Sequence, residues 1–390
     1  MKIKLTLIPF IAAIISSIIF TNFAYAEEDL IVKIGHVGPL SGPSAHLGKD
    51  NENGARMAID ELNTKAITID GKKVKFELVS ADDGSDPKQG TAAAQMLVDA
   101  KVNGVVGHLN SSTSIPAAKI YHDALIPQIS PSSTATAYTA MGYKSTFRVV
   151  ANDGQLGGEL GHYAVQKLKA KNIAVIDDRT AYGQGVADEF IKGAVAEAAT
   201  EKVQIKLAPR QFTTSTATDF NAILTEIKKA KPDVIFFGGM DSVAGPMLRQ
   251  MKALGIKAKL MGGDGICTTT LPKLAGDGLI DGQIICAEAG GIPASQKQAS
   301  DDFKTAYKKK FGADVIIYAP YVYDAVMTLA DAMRQANSSN PTVYLPFLQK
   351  IHHKGVTGDI VFDYKGDLKN GVLTMYTFEK GKRKEIGIVK

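Results

Sequence analysis

A chain of 390 residues, 45% hydrophobic and 22% charged, has the composition of an ordinary water-exposed globular protein with room for about two to three domains. The formal charge of +5 is spread without a basic run or stripe, which leaves no electrostatic footprint for nucleic acid. Two cysteines are too few to define a fold through disulfides.

The N-terminus begins with basic Lys2 and Lys4, followed by an apolar stretch from Leu5 to Phe20 that is interrupted only by Thr6, Pro9, Ser16 and Ser17. Ala24-Tyr25-Ala26 is a small-x-small cleavage pattern, and Glu27 opens a polar chain. This predicts a secretory signal peptide over residues 1–26, export, and a mature balance of 43 basic against 40 acidic residues. The alternative is a retained anchor, because the stretch approaches spanning length.

Short β-branched runs then alternate with longer amphipathic ones. Strands are expected at Ile31 to Val37, Val74 to Val79, Val102 to Val106 and Ile126 to Ile129. Between them, helices are expected at Lys49 to Leu62, Pro87 to Ala100 and Ser112 to Ala124. Thr146 to Val150 reads as a connecting strand, after which the rhythm restarts with strands at Asn172 to Ile176, Asp233 to Phe237 and Leu260-Met261. Helices at Gln155 to Leu168, Gln184 to Ala198, around Phe220 to Ile227, and at Pro246 to Leu254 separate them. Such alternation means βαβ units and parallel sheets. After Cys286 come helices at Ala299 to Phe311 and Tyr318 to Gln335, then a hairpin tail from Gly358 with a turn at Lys365-Gly366-Asp367. The expected class is therefore α/β, with two doubly wound lobes.

Ligands of parallel α/β sheets bind beyond the carboxyl ends of strands. After Val106, Asn110-Ser111-Ser112-Thr113-Ser114 opens a helix, where free N–H groups and hydroxyls suit an anion; a plain N-cap is the alternative. After Ile129, Ser130-Pro131-Ser132-Ser133-Thr134 supplies a second small polar cluster, or a solvated loop. Asp264, among glycines after Met261, reads as an ammonium-binding acid or a turn residue, and Asp241 as a weaker candidate of the same kind. Tyr182 reads as a lid aromatic or ordinary packing. Cys267 and Cys286 read as a disulfide or as two buried thiols. The seven histidines are scattered, and His352 and His353 point apart, so no metal is expected. The adjacent acids Asp82-Asp83 and Asp177-Asp178 read as turns or caps. No phosphate loop, G-x-S-x-G elbow or H-E-x-x-H motif is present, and neither an enzyme nor a cofactor is expected.

Several motifs occur together in order: Val37-Gly38-Pro39-Leu40-Ser41-Gly42, Asp82-Asp83 with Asp86-Pro87, Gly107-His108-Leu109-Asn110-Ser111-Ser112, Tyr182-Gly183-Gln184-Gly185, Gly238-Gly239, Met261-Gly262-Gly263-Asp264-Gly265 and Lys365-Gly366-Asp367-Leu368. In these the chain resembles, over nearly its whole mature length, the periplasmic Leu/Ile/Val-binding protein family of branched-chain amino-acid ABC transporters. The resemblance implies a type I periplasmic-binding-protein fold with three hinge crossings, dividing as residues 27–150 and 289–360 for one lobe and 151–288 and 361–390 for the other. It implies that Ser111 and Thr134, with the backbone of Asn110 and Ser132, hold a ligand carboxylate and ammonium. Ser133 belongs to the same cluster. Tyr182 closes from the second lobe, Asp264 takes the ammonium, and Leu47, Met240 and Tyr318 line the side-chain pocket. Ser85 and Asn110 stand where some members carry a disulfide, so that bridge is absent. The expected partners are a small apolar amino acid and the membrane permease of an ABC transporter, with the protein a monomer. Competing readings are another small ligand (an amide, or a polar or aromatic amino acid), an exported hydrolase, and a sensory ectodomain.

Overall fold

The computed structural model describes Met1 and residues 29–389; the expected signal peptide lies outside the described residues apart from Met1. The first sheet comprises β1 (Leu30–Gly38), β2 (Thr68–Ile69), β3 (Lys72–Asp82), β4 (Gly104–Val106), β5 (Gln128–Ser130) and β6 (Thr146–Arg148) in the order β2-β3-β1-β4-β5-β6. Only the β2–β3 pairing is antiparallel. Its helices are α1 (Ala45–Thr64), α2 (Pro87–Asp99), α3 (Ser111–Asp123) and α4 (Ala137–Ala140). The α1 stripe Ala55, Ala58, Ile59 and Leu62 is buried, as its spacing predicts. Asp86 caps α2 by accepting the N–H groups of Lys88 and Gln89, with Pro87 at the first helical position.

The second sheet follows with α5 (Asp153–Gln166), β7 (Asn172–Asp177), α6 (Ala181–Thr200), β8 (Lys206–Leu207), β9 (Gln211–Phe212), α7 (Asn221–Lys229), β10 (Val234–Gly238), α8 (Asp241–Ala253), β11 (Lys259–Gly262), α9 (Leu271–Ala275) and β12 (Ile284–Glu288). Helices α5 and α6 approach closely because glycines face each other: a Cβ on Gly161 would stand 2.4 Å from the Phe190 carbonyl oxygen. The chain then returns to the first sheet as α10 (Lys297–Phe311), α11 (Ala319–Gln335) and α12 (Pro341–Leu348), with α11 packed on α1 and β4. A small hairpin, β13 (His352–Lys354) and β14 (Asp359–Val361), precedes β15 (Leu373–Glu379) and β16 (Lys382–Val389), which join the second sheet antiparallel beside β12. The second sheet runs β16-β15-β12-β11-β10-β7-β8, with β9 also on β7. The chain thus passes between the sheets three times, after Arg148, Glu288 and Val361. The crossings are tied to each other: Ala151 N–H donates to Ala289 O (2.9 Å) and Arg148 N–H to Gly366 O (3.0 Å).

Besides short elements that carry no pattern of their own (β2, β8, β9, α4 and α9), three larger features depart from the expected pattern. Helix α8 begins at Asp241, with Pro246 inside it rather than at its start. The proline removes one backbone donor past the first turn, and the buried face Val243, Ala244, Met247, Leu248 and Met251 carries the helix through. Helix α12 is absent from the expected pattern because TVYLPFL shows no helical stripe; the Asn340 side chain caps it through the Thr342 N–H at 3.0 Å. The Lys365-Gly366-Asp367 turn exists, held by Asp363, but the hairpin joining β15 and β16 turns at Lys380-Gly381, both in the left-handed region.

Cys267 and Cys286 form a disulfide (Cα–Cα 5.4 Å) that ties the loop after β11 to β12. It closes a loop with a sequence separation of 19. The double variant Cys267→Ala/Cys286→Ala is expected to lose about 3 kcal/mol of unfolding free energy. Urea unfolding of the oxidised protein and the variant measures the difference.

Candidate ligand-binding site

Both sheets are wound so that strand order reverses beside their first strand, at β1/β4 and at β7/β10. Loops leaving the carboxyl ends there diverge and open a crevice. Between the two crevices lies a small cavity lined by Leu109, Asn110, Ser111, Ser132, Tyr182, Met240, Asp264 and Tyr318. A wider groove of about 440 Å³ lies beside the crossings, but its charged residues Asp359 and Lys369 are solvent-exposed and no buried charge faces it. The smaller cavity is where chemistry converges.

One wall is the start of α3. Asn110 is its N-cap residue, but the side chain caps nothing; its Oδ1 accepts from Ser85 Oγ at 2.9 Å instead. The N–H groups of Ser111 and Ser112 therefore keep their need for an acceptor, while Asn110 O takes the Thr113 N–H at 3.1 Å, and the helix dipole favours an anion there. Ser111 is the first helical residue, and its hydroxyl accepts the Ala135 N–H at 3.2 Å. That bond pulls the second hydroxyl cluster onto the first. Ser132 donates to Leu109 O at 3.0 Å, and Ser133 shares Ser114 Oγ at 2.6 Å.

The opposite wall carries the acid. Asp264 is 1% exposed, follows β11, and accepts Tyr318 OH at 3.0 Å and its neighbour's N–H at 3.1 Å. Burial pushes its carboxyl up to about 6, with Tyr182 and Tyr318 opposing. Tyr182 OH accepts the Gly265 N–H at 3.1 Å. Tyr318 arrives on the α11 side of the first lobe, so its bond to Asp264 spans the cleft. Its position is set by Asp50, whose carboxylate accepts the N–H groups of Ile316, Ile317, Tyr318 and Ala319 and the Tyr307 hydroxyl. A second cross-cleft contact lies at the rim. His46, in the first turn of α1, meets Asp241, at the start of α8, at 3.0 and 3.1 Å, and Thr268 and Thr270 donate to the same carboxylate.

Of the expected site residues, Asn110, Ser111, Ser132, Tyr182, Met240, Asp264 and Tyr318 share the cavity. Ser133 and Thr134 lie behind that lining, fully buried. Leu47 is outside it: α1 starts a turn earlier than its apolar stripe suggests, so Leu47 falls inside the helix and packs into the core. Leu109 and His46 have no distinguishing sequence signal beyond standing next to a strand end or helix start. The adjacent acids serve separate structural bonds, Asp82 to loop N–H groups, Asp83 to His108, Asp177 to Arg210 and Asp178 to Thr180. Among the described residues no metal-binding cluster of His, Cys, Asp and Glu is present, and no helix is long and apolar enough to cross a membrane.

Residues 31–382 match the family model described as periplasmic binding protein. The Leu/Ile/Val-binding protein homolog 1 of Brucella abortus is 36% identical over 370 residues, 95% of either chain. The chain belongs to the periplasmic Leu/Ile/Val-binding protein family. The leucine-, isoleucine-, valine-, threonine- and alanine-binding protein of Pseudomonas aeruginosa is 34% identical over 93% of each chain. The solved branched-chain amino acid transporter substrate-binding protein LivJ of Streptococcus pneumoniae, in complex with isoleucine, superposes with a TM-score of 0.81 at 27% identity, covering 93% of this chain and 100% of that one. The two sheets and three crossings are those of the type I periplasmic binding fold. As a member of the Leu/Ile/Val-binding family, the chain is a substrate-binding protein of the ABC transporter system and not an enzyme.

Proposed function

We propose that the mature protein, residues 27–390, is a periplasmic monomer that closes on one small apolar amino acid and presents it to the permease of an ABC importer. Residues 27–150 and 289–360 form one lobe, and 151–288 and 361–390 the other. The observation that carries this reading is the pairing of an uncapped helix start with a buried acid across one small cavity. A zwitterion brought out of water needs both charges met, or several kcal/mol of desolvation go uncompensated, on an order-of-magnitude view. The α3 start with Ser111 meets the carboxylate, and Asp264 meets the ammonium. Leu109 and Met240 leave an apolar end, where each buried methylene adds roughly 0.8 kcal/mol. Preference among Leu, Ile and Val is therefore graded. The names of the relatives, which bind branched-chain amino acids, agree with this.

Thermal unfolding of the exported protein against the twenty amino acids, their amides and benzoates tests the reading. Leucine, isoleucine or valine at a hundredfold excess over Kd should raise apparent stability by about 2.7 kcal/mol. Stabilisation by amides or benzoates alone would sink it.

The His46–Asp241 contact sets an upper pH limb on closure. Burial opposes charge on His46, but hydrogen bonding and the field of Asp241 outweigh it and hold its pKa above the ordinary value. A pKa raised in the closed form favours closure at low pH, and that contribution is lost as pH rises from about 6.5 through the raised value. Affinity measured calorimetrically at pH 6.5 and 8.5 should fall a few-fold, within the range of a partly exposed ion pair. His46→Asn should flatten that change.

A further inference from the structure

Three of the described helices start at an asparagine. Asn152 accepts the Gln155 N–H and Asn340 the Thr342 N–H, the usual work of that residue type at an N-cap. Asn110, at φ −84° and ψ 140°, has the same extended backbone, yet its side chain caps nothing. The difference is a neighbour. Ser85, in the turn between β3 and α2, donates its hydroxyl to Asn110 Oδ1 at 2.9 Å. The adjacent acids Asp82 and Asp83 build that turn. Asp83 Oδ1 accepts the Ser85 N–H at 3.0 Å, and its Oδ2 meets His108 Nδ1 at 2.9 Å, while His108 Nε2 meets Tyr121 OH at 3.1 Å. Asp83, His108 and Tyr121 are fully buried, so one carboxylate fixes both the Ser85 backbone and the residue two before Asn110. Asp82 Oδ1 accepts the N–H groups of Leu40, Ser41 and Gly84 on the other side of the turn. Ser85 itself stands at φ +59°, in the left-handed region that glycine enters freely and other residues rarely do. Backbone geometry alone would favour glycine there. What serine adds is a hydroxyl, and among the described residues that hydroxyl bonds only Asn110.

We propose that Ser85 is a positioning residue for ligand binding: by holding the Asn110 side chain aside, it reserves the Ser111 and Ser112 N–H groups for the ligand carboxylate. This rests on the amino-acid reading above. An N-cap side chain bonds the second or third N–H of its helix. The third, on Thr113, is already taken by Asn110 O at 3.1 Å, so a released Asn110 amide oxygen turns to the second, on Ser112. There it competes with the carboxylate for a donor. Ser85 is not part of the cavity lining and Asn110 is, so the effect of Ser85 on the ligand passes through Asn110.

The test is a pair of substitutions read by calorimetric titration with L-leucine. Ser85→Gly removes the hydroxyl and suits the left-handed backbone, so the variant should fold as the wild type does. Its leucine affinity should fall about fivefold, the worth of one typical N-cap. The same substitution made in an Asn110→Ala background should change affinity less than about twofold, because alanine has no side chain to turn inward. A fall as large there as in the single variant means that Ser85 acts on its own turn and not through Asn110, and overturns the proposal; unchanged affinity in the single variant overturns it too. Amide exchange in the ligand-free protein supplies a second readout that does not depend on the Asn110→Ala variant. The Ser112 N–H gains an acceptor in Ser85→Gly and should exchange more slowly than in the wild type, whereas a merely loosened turn would quicken it. Exchange that is no slower defeats the assignment. If the wild type binds none of leucine, valine and alanine, the amino-acid reading itself falls and takes this assignment with it; with normal wild-type leucine binding, the failures above strike Ser85 alone.

Discussion

Asp264→Asn will lower leucine affinity on the order of a hundredfold while making the empty protein more stable. Both effects have one cause. In the closed cleft the carboxylate is 1% exposed, and its partners Tyr318 and Tyr182 do not compensate for the lost water, so its pKa rises to about 6. A carboxyl whose folded pKa lies above its unfolded value destabilises the fold when ionised. That cost is fully present above about pH 6 and gone below the ordinary carboxylate value of 3.8. The Asn variant should therefore unfold at higher urea than wild type at pH 8, and the gain should vanish by pH 4. Binding has the opposite sign. An ammonium favours the ionised acid, so affinity holds above about pH 6 and declines as pH falls through it. Truncating one partner of a buried charge pair costs 2–5 kcal/mol by the usual scale. Calorimetric titration of both proteins from pH 5 to 8 measures the lower limb, which the variant should lack. Unchanged leucine affinity at pH 7.5 would remove Asp264 from the ammonium site.

Arg148→Met should cost 3–5 kcal/mol of stability, on the order of breaking a buried ion pair by removing one partner, and should weaken ligand binding as well. The guanidinium is fully buried at the end of β6. It donates to Asp367 Oδ1 at 2.6 Å, Ser133 O at 2.6 Å, Ala135 O at 2.8 Å and Thr139 Oγ1 at 2.9 Å. One cation thus holds the Ser132–Ala135 loop against the tail that returns to the second lobe. Without it, Asp367 keeps its charge but loses its cation, and two carbonyls lose their donors. Adding Asp367→Asn should recover part of the loss, since the uncompensated charge is then gone. Urea unfolding of the single and double variants, read with leucine affinity, checks this. A single variant within 1 kcal/mol of wild type would show that the loop is held otherwise.

These two residues differ in how far they can be read from the chain. Asp264 stands among glycines directly after a short β-branched run, and in a parallel sheet that position alone points it at a crevice. Ser111 and Ser132 are legible for the same reason. The side-chain pocket is less so: Leu47 is set in the core by where α1 begins, and helix ends depend on the packing of its polar residues Asp50 to Asn53 against neighbouring elements. Arg148 looks like any arginine after a strand, and its partner is 219 residues away. His46 and Asp241 are 195 apart, and nothing local marks either as half of a contact. Cys267 and Cys286, close in sequence, are equally compatible with two thiols until the loop after β11 is seen to fold back onto β12.

By itself the sequence determined what is periodic or local: alternating strands and helices, the parallel α/β class, and the polar residues placed after strand ends, because strand and helix periods of two and 3.6 are written into neighbouring residues. Only the tertiary structure decided which distant groups meet: Tyr318 with Asp264, Arg148 with Asp367, and His46 with Asp241. The physical reason is that pairing across crossings is set by the register and docking of whole sheets, and desolvation, which decides what a buried charge must find, exists only once those sheets have come together.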